Sequence, residues 1–245
     1  MSPHTGGWRA MMDDARVHPR ARALAISAVL FDLDGTLADS AGDLAAAVNR
    51  MRAERGLDAV PVAALRPHAS AGARGLLGAG MGITPDDADY PALRDQFLAY
   101  YAAGLDRTTR LFDGIVALLD ALDERALPWG IVTNKAARFT QPVVEALGLY
   151  RRAGAIVSGD TTAHPKPHPA PLLHAATLLG VDAVHCAYVG DDLRDVIAGN
   201  AAGMATIVAE YGYLGERGCS DGWPATGWID TPIELLDWLP ARRKR

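Results

Sequence analysis

Two carboxylates follow a short apolar run near the start of the chain. Residues 28–31 read AVLF, and Asp32 and Asp34 come directly after them, followed by Gly-Thr. A short apolar run closed by turn residues is typical of a buried strand in a parallel sheet, and open α/β sheets bind ligands where such strands end. Unpaired carboxylates are too costly to bury there. Together they could hold a divalent cation, or one could act as a nucleophile while the other moves a proton. A turn that only caps a strand would also produce Asp-Leu-Asp-Gly.

Further polar residues follow the later predicted strands. They are Thr133 and Asn134, then Lys166, and then Asp191, Asp192 and Asp195. Because parallel strands end at the same edge of a sheet, we expect these groups to converge with the two aspartates. Hydroxyl, ammonium and carboxylate groups at one edge supply the positioning and charge neutralisation that phosphoryl transfer needs.

Each of these groups also has a purely structural explanation. Thr133 and Asn134 could cap the start of a helix. Asp192 could complement a helix dipole. An isolated lysine is usually a solvated surface charge, although Lys166 lies in HPKPHP, where prolines on both sides stiffen the loop.

The longer strings around these residues resemble the four motifs of the haloacid dehalogenase superfamily of phosphatases. FDLDGTLADS resembles the first motif, VTNK the second, HPKPHP the third and GDDLRD the fourth, in the family's order. The resemblance extends from about residue 27 to the C terminus. It implies a Rossmann-like core and a Mg²⁺-dependent phosphomonoesterase that forms an aspartyl-phosphate intermediate.

The resemblance also implies a role for each residue of the first three motifs. Asp32 is the nucleophile and Asp34 the general acid/base, whereas the dehalogenase branch lacks a carboxylate at that second position. Lys166 neutralises the phosphate and steadies the nucleophile. Thr133 and Asn134 bind the phosphate.

The metal site implied by the resemblance draws on the first and fourth motifs. Asp32 and Asp191 contribute carboxylates, and Asp34 contributes its backbone carbonyl. Asp192 and Asp195 surround this set, and Asp195 orients a metal-bound water or hydrogen-bonds Lys166.

The hydrophobic pattern predicts an α/β fold with a doubly wound parallel sheet and an inserted helical cap. From residue 111 onward, short apolar runs alternate with one-faced helix patterns, which is typical of such a sheet. The segment between the first two motifs shows no strand pattern. We therefore predict a disordered N-terminal extension over residues 1–26 and a catalytic core formed by residues 27–42 and 111–245. Residues 43–110 are predicted to form the helical cap.

Two finer expectations concern irregular segments. Residues 68–82 contain five glycines, too many for one long rigid helix. The last helix is predicted to begin with a capping box from Thr231 to Glu234, and to bury Ile233, Leu236 and Leu239.

The cap is expected to select the substrate. Within HASAGARG, the glycines permit close approach to a small ligand and Arg74 could pair with a carboxylate, or it could be a solvated helix residue. SGDTTAHPKPHPAPLL and YVGDDLRD resemble bacterial phosphoglycolate phosphatases, whose substrate carries a carboxylate. MRAERGL, LFDG and WGIVTNKAARF also resemble N-acetylmuramic acid 6-phosphate phosphatases, whose substrate carries one too. A non-catalytic binding protein is the alternative of another class, but it should have lost Asp32, Asp34 or Lys166.

Composition limits the remaining possibilities. The 245 residues carry a formal net charge of −5, and no basic stripe occurs before the last five residues, which disfavours nucleic acid as a partner. The chain has 2 cysteines, so no disulfide framework is expected, and no apolar run approaches the roughly 20 residues that span a bilayer. The first 26 residues lack the apolar segment of a signal peptide. We expect a cytoplasmic protein that acts on a small phosphorylated metabolite.

Overall fold

The computed structural model describes residues 25–216 and 218–240. The predicted N-terminal extension, residues 1–26, lies outside the described residues except for Ala25 and Ile26, and Ile26 is buried in the core. In the described ranges, no helix has the length and apolar character needed to cross a membrane.

A six-stranded parallel sheet forms the centre of the described chain, and a two-stranded ribbon lies apart from it. The sheet order is β5-β4-β1-β6-β7-β8, with every pairing parallel. In chain order, the strands are β1 (Ala28–Phe31), β2 (Ala38–Asp39), β3 (Arg110–Leu111), β4 (Trp129–Val132), β5 (Ala155–Val157), β6 (Cys186–Gly190), β7 (Ala205–Ala209) and β8 (Gly227–Ile229). The predicted doubly wound α/β class is confirmed.

The α-helices of the described residues are α1 (Ala41–Ala53), α2 (Val62–Leu65), α3 (Gly72–Met81), α4 (Tyr90–Ala102), α5 (Ile115–Glu124), α6 (Ala137–Ala146), α7 (Ala170–Leu179) and α8 (Leu193–Ala201). The last four of them cover both faces of the sheet. Val29 and Phe31 of β1 pack in a buried cluster with residues of α5 and α6, whereas Leu30 packs in a second cluster with residues of α7 and α8. Burial on both faces explains why β1 reads as a continuous apolar run.

The helices α1 to α4 are inserted between the two strands of the ribbon. In that ribbon, Ala38 pairs with Leu111 and Asp39 with Arg110, in antiparallel register. The chain therefore leaves the sheet through β2 and returns through β3, beside the expected boundaries of the cap.

The glycine-rich segment of the insert consists of two helices. A 3-10 helix (Arg66–Ala71) leads directly into α3, and Gly72 at their junction has φ +59°. This left-handed conformation suits glycine and separates the two helices. The expectation that residues 68–82 do not form one long helix is confirmed.

The C-terminal segment departs from its prediction. Residues Pro232–Asp237 form a 3-10 helix, and the side chain of Thr231 does not cap it. Residues three apart share a face in a 3-10 helix, and Pro232 and Leu235 form the buried face here. Ile233 lies on another face and is 42% exposed, and Leu236 is only partly buried. The predicted capping box and the burial of Ile233 are therefore wrong, whereas Leu239 is buried as expected.

Candidate active site

The strands β1, β4 and β6 end at one cavity of about 440 Å³ between the sheet edge and the inserted helices. Most of the residues singled out from the sequence line it, namely Asp32, Asp34, Thr133, Asn134, Lys166, Asp192 and Asp195. The core thus contributes charged groups to the floor. The inserted helices contribute the opposite wall, which includes Ser70, Phe97 and Tyr101.

Asp32 lies at the end of β1, directly against Lys166. The Nζ of Lys166 is 2.9 Å from Oδ1 of Asp32, and the backbone N–H of Leu33 donates to the same oxygen over 2.7 Å. Burial raises the pKa of Asp32 to about 7 when only the protein's own charges act on it; Lys166 lowers this pKa and Asp195 raises it further. The carboxylate is thus held in place by one cation, Lys166, which does not fully offset the cost of burying its negative charge.

Lys166 is buried among oxygen atoms. Its Nζ lies 2.8 Å from Oδ1 of Asp195, 2.8 Å from the Tyr188 hydroxyl and 3.1 Å from the carbonyl oxygen of Val132. Burial acts to lower the pKa of Lys166, but the carboxylates of Asp195 and Asp32 outweigh burial and raise the pKa above its usual value. This lysine is therefore a fixed cation.

Asp32, Asp191 and Asp195 form a buried acidic cluster. Each offers a carboxylate oxygen, and these oxygens lie within 4.8 Å of one another. Burial, and then the charges of Asp32 and Asp195, raise the pKa of Asp191 well above its usual value. One lysine does not neutralise three close carboxylates, and hard divalent cations prefer oxygen ligands. This cluster could bind a metal ion.

Asp191 is fixed from two sides. The Thr36 hydroxyl donates to Oδ1 over 2.9 Å, and the backbone N–H of Tyr213 donates to Oδ2 over 3.0 Å. A Cβ at Gly35 or Gly212 would overlap its side chain. Only glycine lets both backbone segments approach this carboxylate so closely.

The carboxylate of Asp34 lies outside the acidic cluster. Its Oδ1 accepts a hydrogen bond from the Ser40 hydroxyl and lies 2.9 Å from Nζ of Lys135. Its side chain still lines the cavity. The cluster therefore contains Asp195 in addition to Asp32 and Asp191, while the side chain of Asp34 is held by groups of its own.

Thr133 and Asn134 follow β4 and differ in what they contact. Thr133 is buried, and its hydroxyl oxygen accepts from the backbone N–H of Lys135 over 3.2 Å. The Asn134 side chain donates to the carbonyl of Lys166 over 2.8 Å and accepts from the N–H of Lys166 over 2.9 Å. Asn134 therefore clamps the loop that carries the lysine, a contact that strand and helix patterns do not reveal.

Asp192 and Asp195 form a capping box at the start of α8. The Asp192 side chain accepts from the backbone N–H of Arg194, and the Asp195 side chain accepts from that of Asp192. The guanidinium of Arg194 pairs with Asp192 at 2.8 Å and donates to the carbonyl oxygen of Ser70 over 2.7 Å. Burial would raise the pKa of Asp192, but Arg194 outweighs burial and lowers it. Arg194 thus links the core to the inserted helices.

Two sequence-predicted site residues do not line the cavity: Asp191, which belongs to the buried acidic cluster beside it, and Arg74. Arg74 is exposed on α3, while the neighbouring residues 69–73 line the cavity wall. The cavity instead contains Lys135 and Tyr101, to which no role was assigned from the sequence. Lys135 stands inside the VTNK string, and Tyr101 lies on α4 of the insert.

Comparison with a known family agrees with this geometry. The family described as haloacid dehalogenase-like hydrolase matches residues 29–209, which include the sheet edge and the inserted helices.

Two curated relatives and one solved structure are similar over most of the chain. A phosphoglycolate phosphatase from Xanthomonas campestris pv. campestris is 45% identical over 216 residues, covering 87% of this chain and 96% of the relative. An N-acetylmuramic acid 6-phosphate phosphatase from Pseudomonas aeruginosa is 39% identical over 218 residues, covering 89% and 96%. The crystal structure of a predicted phosphoglycolate phosphatase from Haemophilus somnus superposes with a TM-score of 0.76 at 25% identity, covering 86% of this chain and 97% of that one.

Proposed function

This chain belongs to the haloacid dehalogenase-like hydrolase family and is a phosphatase, and we propose that it hydrolyses 2-phosphoglycolate with Asp32 as the nucleophile. The contact between Asp32 and Lys166, inside the buried acidic cluster, carries this proposal. A buried carboxylate held against a fixed cation, at the end of a central strand, is suited to attack a phosphoryl group.

In the first step, Asp32 attacks phosphorus and the bond from phosphorus to the ester oxygen breaks. Asp34 donates a proton to the leaving alkoxide, and the phosphoryl group stays on Asp32 as an aspartyl-phosphate. Lys166 offsets part of the repulsion between the anionic carboxylate of Asp32 and the anionic ester. The lining position of Asp34 and its distance from the acidic cluster support this division of roles.

In the second step, water hydrolyses the aspartyl-phosphate. Asp34, now a carboxylate, accepts a proton from the attacking water, the acyl-phosphate bond breaks, and Asp32 and inorganic phosphate are released. We propose that the Thr133 hydroxyl and the ammonium of Lys166 bind the phosphoryl oxygens of the substrate. Asn134 assists through its two hydrogen bonds to the backbone of Lys166.

The acidic cluster fits Mg²⁺, with carboxylates of Asp32 and Asp191 and the backbone carbonyl of Asp34 as the ligands we propose. When bound, Mg²⁺ supplies positive charge to the phosphoryl oxygens. Asp195 contacts Lys166 and completes the cluster from the side of α8.

We propose that residues 43–110 act as a cap that closes over the cavity and excludes water. Its helices form the wall opposite Asp32, and Arg194 connects it to the core through Ser70. Arg74 remains available only at the outer surface of this cap.

The second candidate substrate is N-acetylmuramic acid 6-phosphate. A cavity of about 440 Å³ is large for an ester with two carbon atoms and is within the range of about 300–1,000 Å³ that accommodates larger ligands. The 39% identity to the Pseudomonas aeruginosa relative also supports it.

Phosphate release from a panel of phosphomonoesters, with and without Mg²⁺, tests the proposal. The panel contains both esters and neutral sugar phosphates, and an Asp32→Asn variant is the control. We expect Mg²⁺-dependent turnover with highest kcat/KM on 2-phosphoglycolate, and a loss on the order of 10³-fold in the variant. Preference for N-acetylmuramic acid 6-phosphate would favour the second candidate. No turnover of any ester would overturn the proposal.

A further inference from the structure

A buried hydroxyl of the inserted helices lines the cavity without a hydrogen-bond partner. Tyr101 of α4 is 2% exposed, and its hydroxyl oxygen bonds to no other group in the described part of the chain. Its ring packs against Phe97 and Phe139, with centroids 6.5 Å and 5.5 Å apart. Because packing fixes the ring and an unsatisfied buried hydroxyl is unfavourable, this position favours a ligand that accepts a hydrogen bond.

A buried ammonium lies beside this hydroxyl. The Nζ of Lys135 is 4.7 Å from the centroid of the Tyr101 ring, and the lysine side chain is 7% exposed. An ammonium carries three N–H donors. Among the described residues, this Nζ donates to Asp34 Oδ1 over 2.9 Å, and the Tyr101 hydroxyl is a further polar neighbour. The lysine therefore offers further donors to the cavity.

The other buried or partly buried cations of the cavity are engaged elsewhere. Lys166 contacts Asp32 and Asp195, and Arg194 contacts Asp192. Arg138 lines the cavity but is exposed, and its guanidinium lies over the Phe139 ring, 4.6 Å from the centroid. Lys135 is thus the buried lining cation with donors to spare.

We infer that Lys135 and Tyr101 form a specificity-determining subsite for a carboxylate on the organic part of the substrate. This inference rests on the proposed function, because it concerns the alcohol portion of a phosphomonoester attacked by Asp32. One carboxylate oxygen accepts from the Tyr101 hydroxyl, and the ammonium of Lys135 supplies the opposite charge. A carboxylate satisfies both groups at once, whereas a neutral alcohol leaves the ammonium without an anionic partner beyond Asp34.

The subsite spans two parts of the fold. Lys135 follows β4 of the core, and Tyr101 belongs to α4 of the insert. Recognition of the carboxylate therefore requires the insert to be closed over the core. Lys135 and Tyr101 thus take the role of binding the substrate carboxylate, which the sequence suggested for Arg74. Arg74 is exposed and does not line the cavity.

The test compares Tyr101→Phe with Tyr100→Phe, which makes the same chemical change at the neighbouring residue. Tyr100 donates to Glu54 over 2.6 Å and does not line the cavity. Two substrate pairs are used: N-acetylmuramic acid 6-phosphate with N-acetylglucosamine 6-phosphate, and 2-phosphoglycolate with ethyl phosphate. In each pair, the second ester lacks the carboxylate.

We expect the wild-type enzyme to prefer the carboxylated ester of at least one pair. In Tyr101→Phe, this preference should fall about tenfold, through a higher KM for the carboxylated ester, since one hydrogen bond to a charged group is lost. Tyr100→Phe should retain the wild-type preference. A matched Arg138→Gln variant distinguishes the exposed guanidinium from the buried pair.

Three outcomes would contradict the inference. Equal losses on both esters in Tyr101→Phe would mean that the hydroxyl only supports packing. Loss of preference in Arg138→Gln alone would place the carboxylate at the cavity mouth. A wild-type enzyme with no preference in either pair would overturn the proposed substrate class as well, which separates failure of that proposal from failure of the subsite alone.

Discussion

At the scale of single residues, the acidic cluster is defined by where its carboxylates are held. Thr36 and Tyr213 hold Asp191, Lys166 holds Asp32 and Asp195, and all three carboxylates are buried. Burial, together with the charges of neighbouring carboxylates, raises the pKa values of Asp32 and Asp191 and opposes their ionised state. The arrangement is therefore stabilised by a cation, which makes metal binding measurable through the stability of the protein.

Mg²⁺ should raise the melting temperature of the wild-type protein, and Asp191→Asn should abolish this effect. A ligand that binds only the folded state at about ten times its Kd contributes about 1.4 kcal/mol, which corresponds to about 3–6 °C for a chain of this size. Thermal unfolding with EDTA and with added Mg²⁺ measures the shift.

The matched control for this prediction is Asp192→Asn. Asp192 lies outside the cluster and pairs with Arg194, so its variant should still respond to Mg²⁺. Removing a charge from the cluster should also bring the melting temperature of Asp191→Asn in EDTA to or above that of the wild type. A Mg²⁺ shift that persists in Asp191→Asn would show that the ion binds elsewhere.

At the scale of elements, α3 packs unusually close to α1. A Cβ at Gly80 would overlap Cγ1 of Val48 on α1, whereas a Cβ at Gly78 would have Ile83 O as its nearest neighbour, 3.9 Å away. The two glycines therefore have different roles within one helix. Gly80 permits the helix contact, and Gly78 lies where a methyl group fits.

Gly80→Ala and Gly78→Ala should change the stability in opposite directions. Overpacking against Val48 should lower the free energy of unfolding by about 1–3 kcal/mol in Gly80→Ala. Gly78→Ala should raise it by about 0.5–1 kcal/mol, because alanine loses less backbone entropy in a helix. Urea denaturation of both variants measures the difference. Similar values for the two would mean that α3 moves away from α1 at little cost.

At the scale of the whole molecule, Asp43 joins the chain that enters the insert to the chain that leaves it. Its carboxylate, at the start of α1, accepts hydrogen bonds of 2.7–3.1 Å from the backbone and hydroxyl groups of Thr108 and Thr109, just before β3. Burial would raise the pKa of Asp43, but these hydrogen bonds outweigh it and hold the pKa below its usual value.

Asp43→Asn should destabilise the protein at neutral pH and much less in acid. A carboxyl with a lowered folded pKa stabilises the protein above its unfolded pKa, about 3.9, and this contribution is lost as the pH falls through the folded pKa. We expect a loss of about 1–2 kcal/mol at pH 7, from weaker bonds to an uncharged acceptor.

Denaturation of wild type and variant between pH 7 and pH 3 measures this difference. The exposed Asp86 provides the control, since Asp86→Asn should change the stability little at any pH. A destabilisation of Asp43→Asn that stays constant down to pH 3 would mean that the charge of Asp43 is not its cause.

Local sequence patterns predicted the sheet and the meeting of the main site residues. The apolar runs at 129–132 and 155–157 coincide with β4 and β5, and the alternation of runs and helix faces predicted the doubly wound sheet. Parallel strands end at one edge, so the strand pattern alone predicted that Asp32, Lys166 and Asp195 would meet. These features depend on neighbours in the chain or on a rule of sheet topology, and such information is present in one sequence.

Only the tertiary structure decided which side chains face one another across the cavity. Whether Arg74 or Tyr101 points into it depends on how α3 and α4 pack on the core, and helical periodicity places an inward residue without saying whether apolar core or cavity lies beneath it. Asn134 clamps a loop 32 residues away, and Ile233, in the C-terminal 3-10 helix, is exposed although its neighbour Leu235 is buried. Contacts between distant segments depend on three-dimensional packing, for which one sequence contains no local signal.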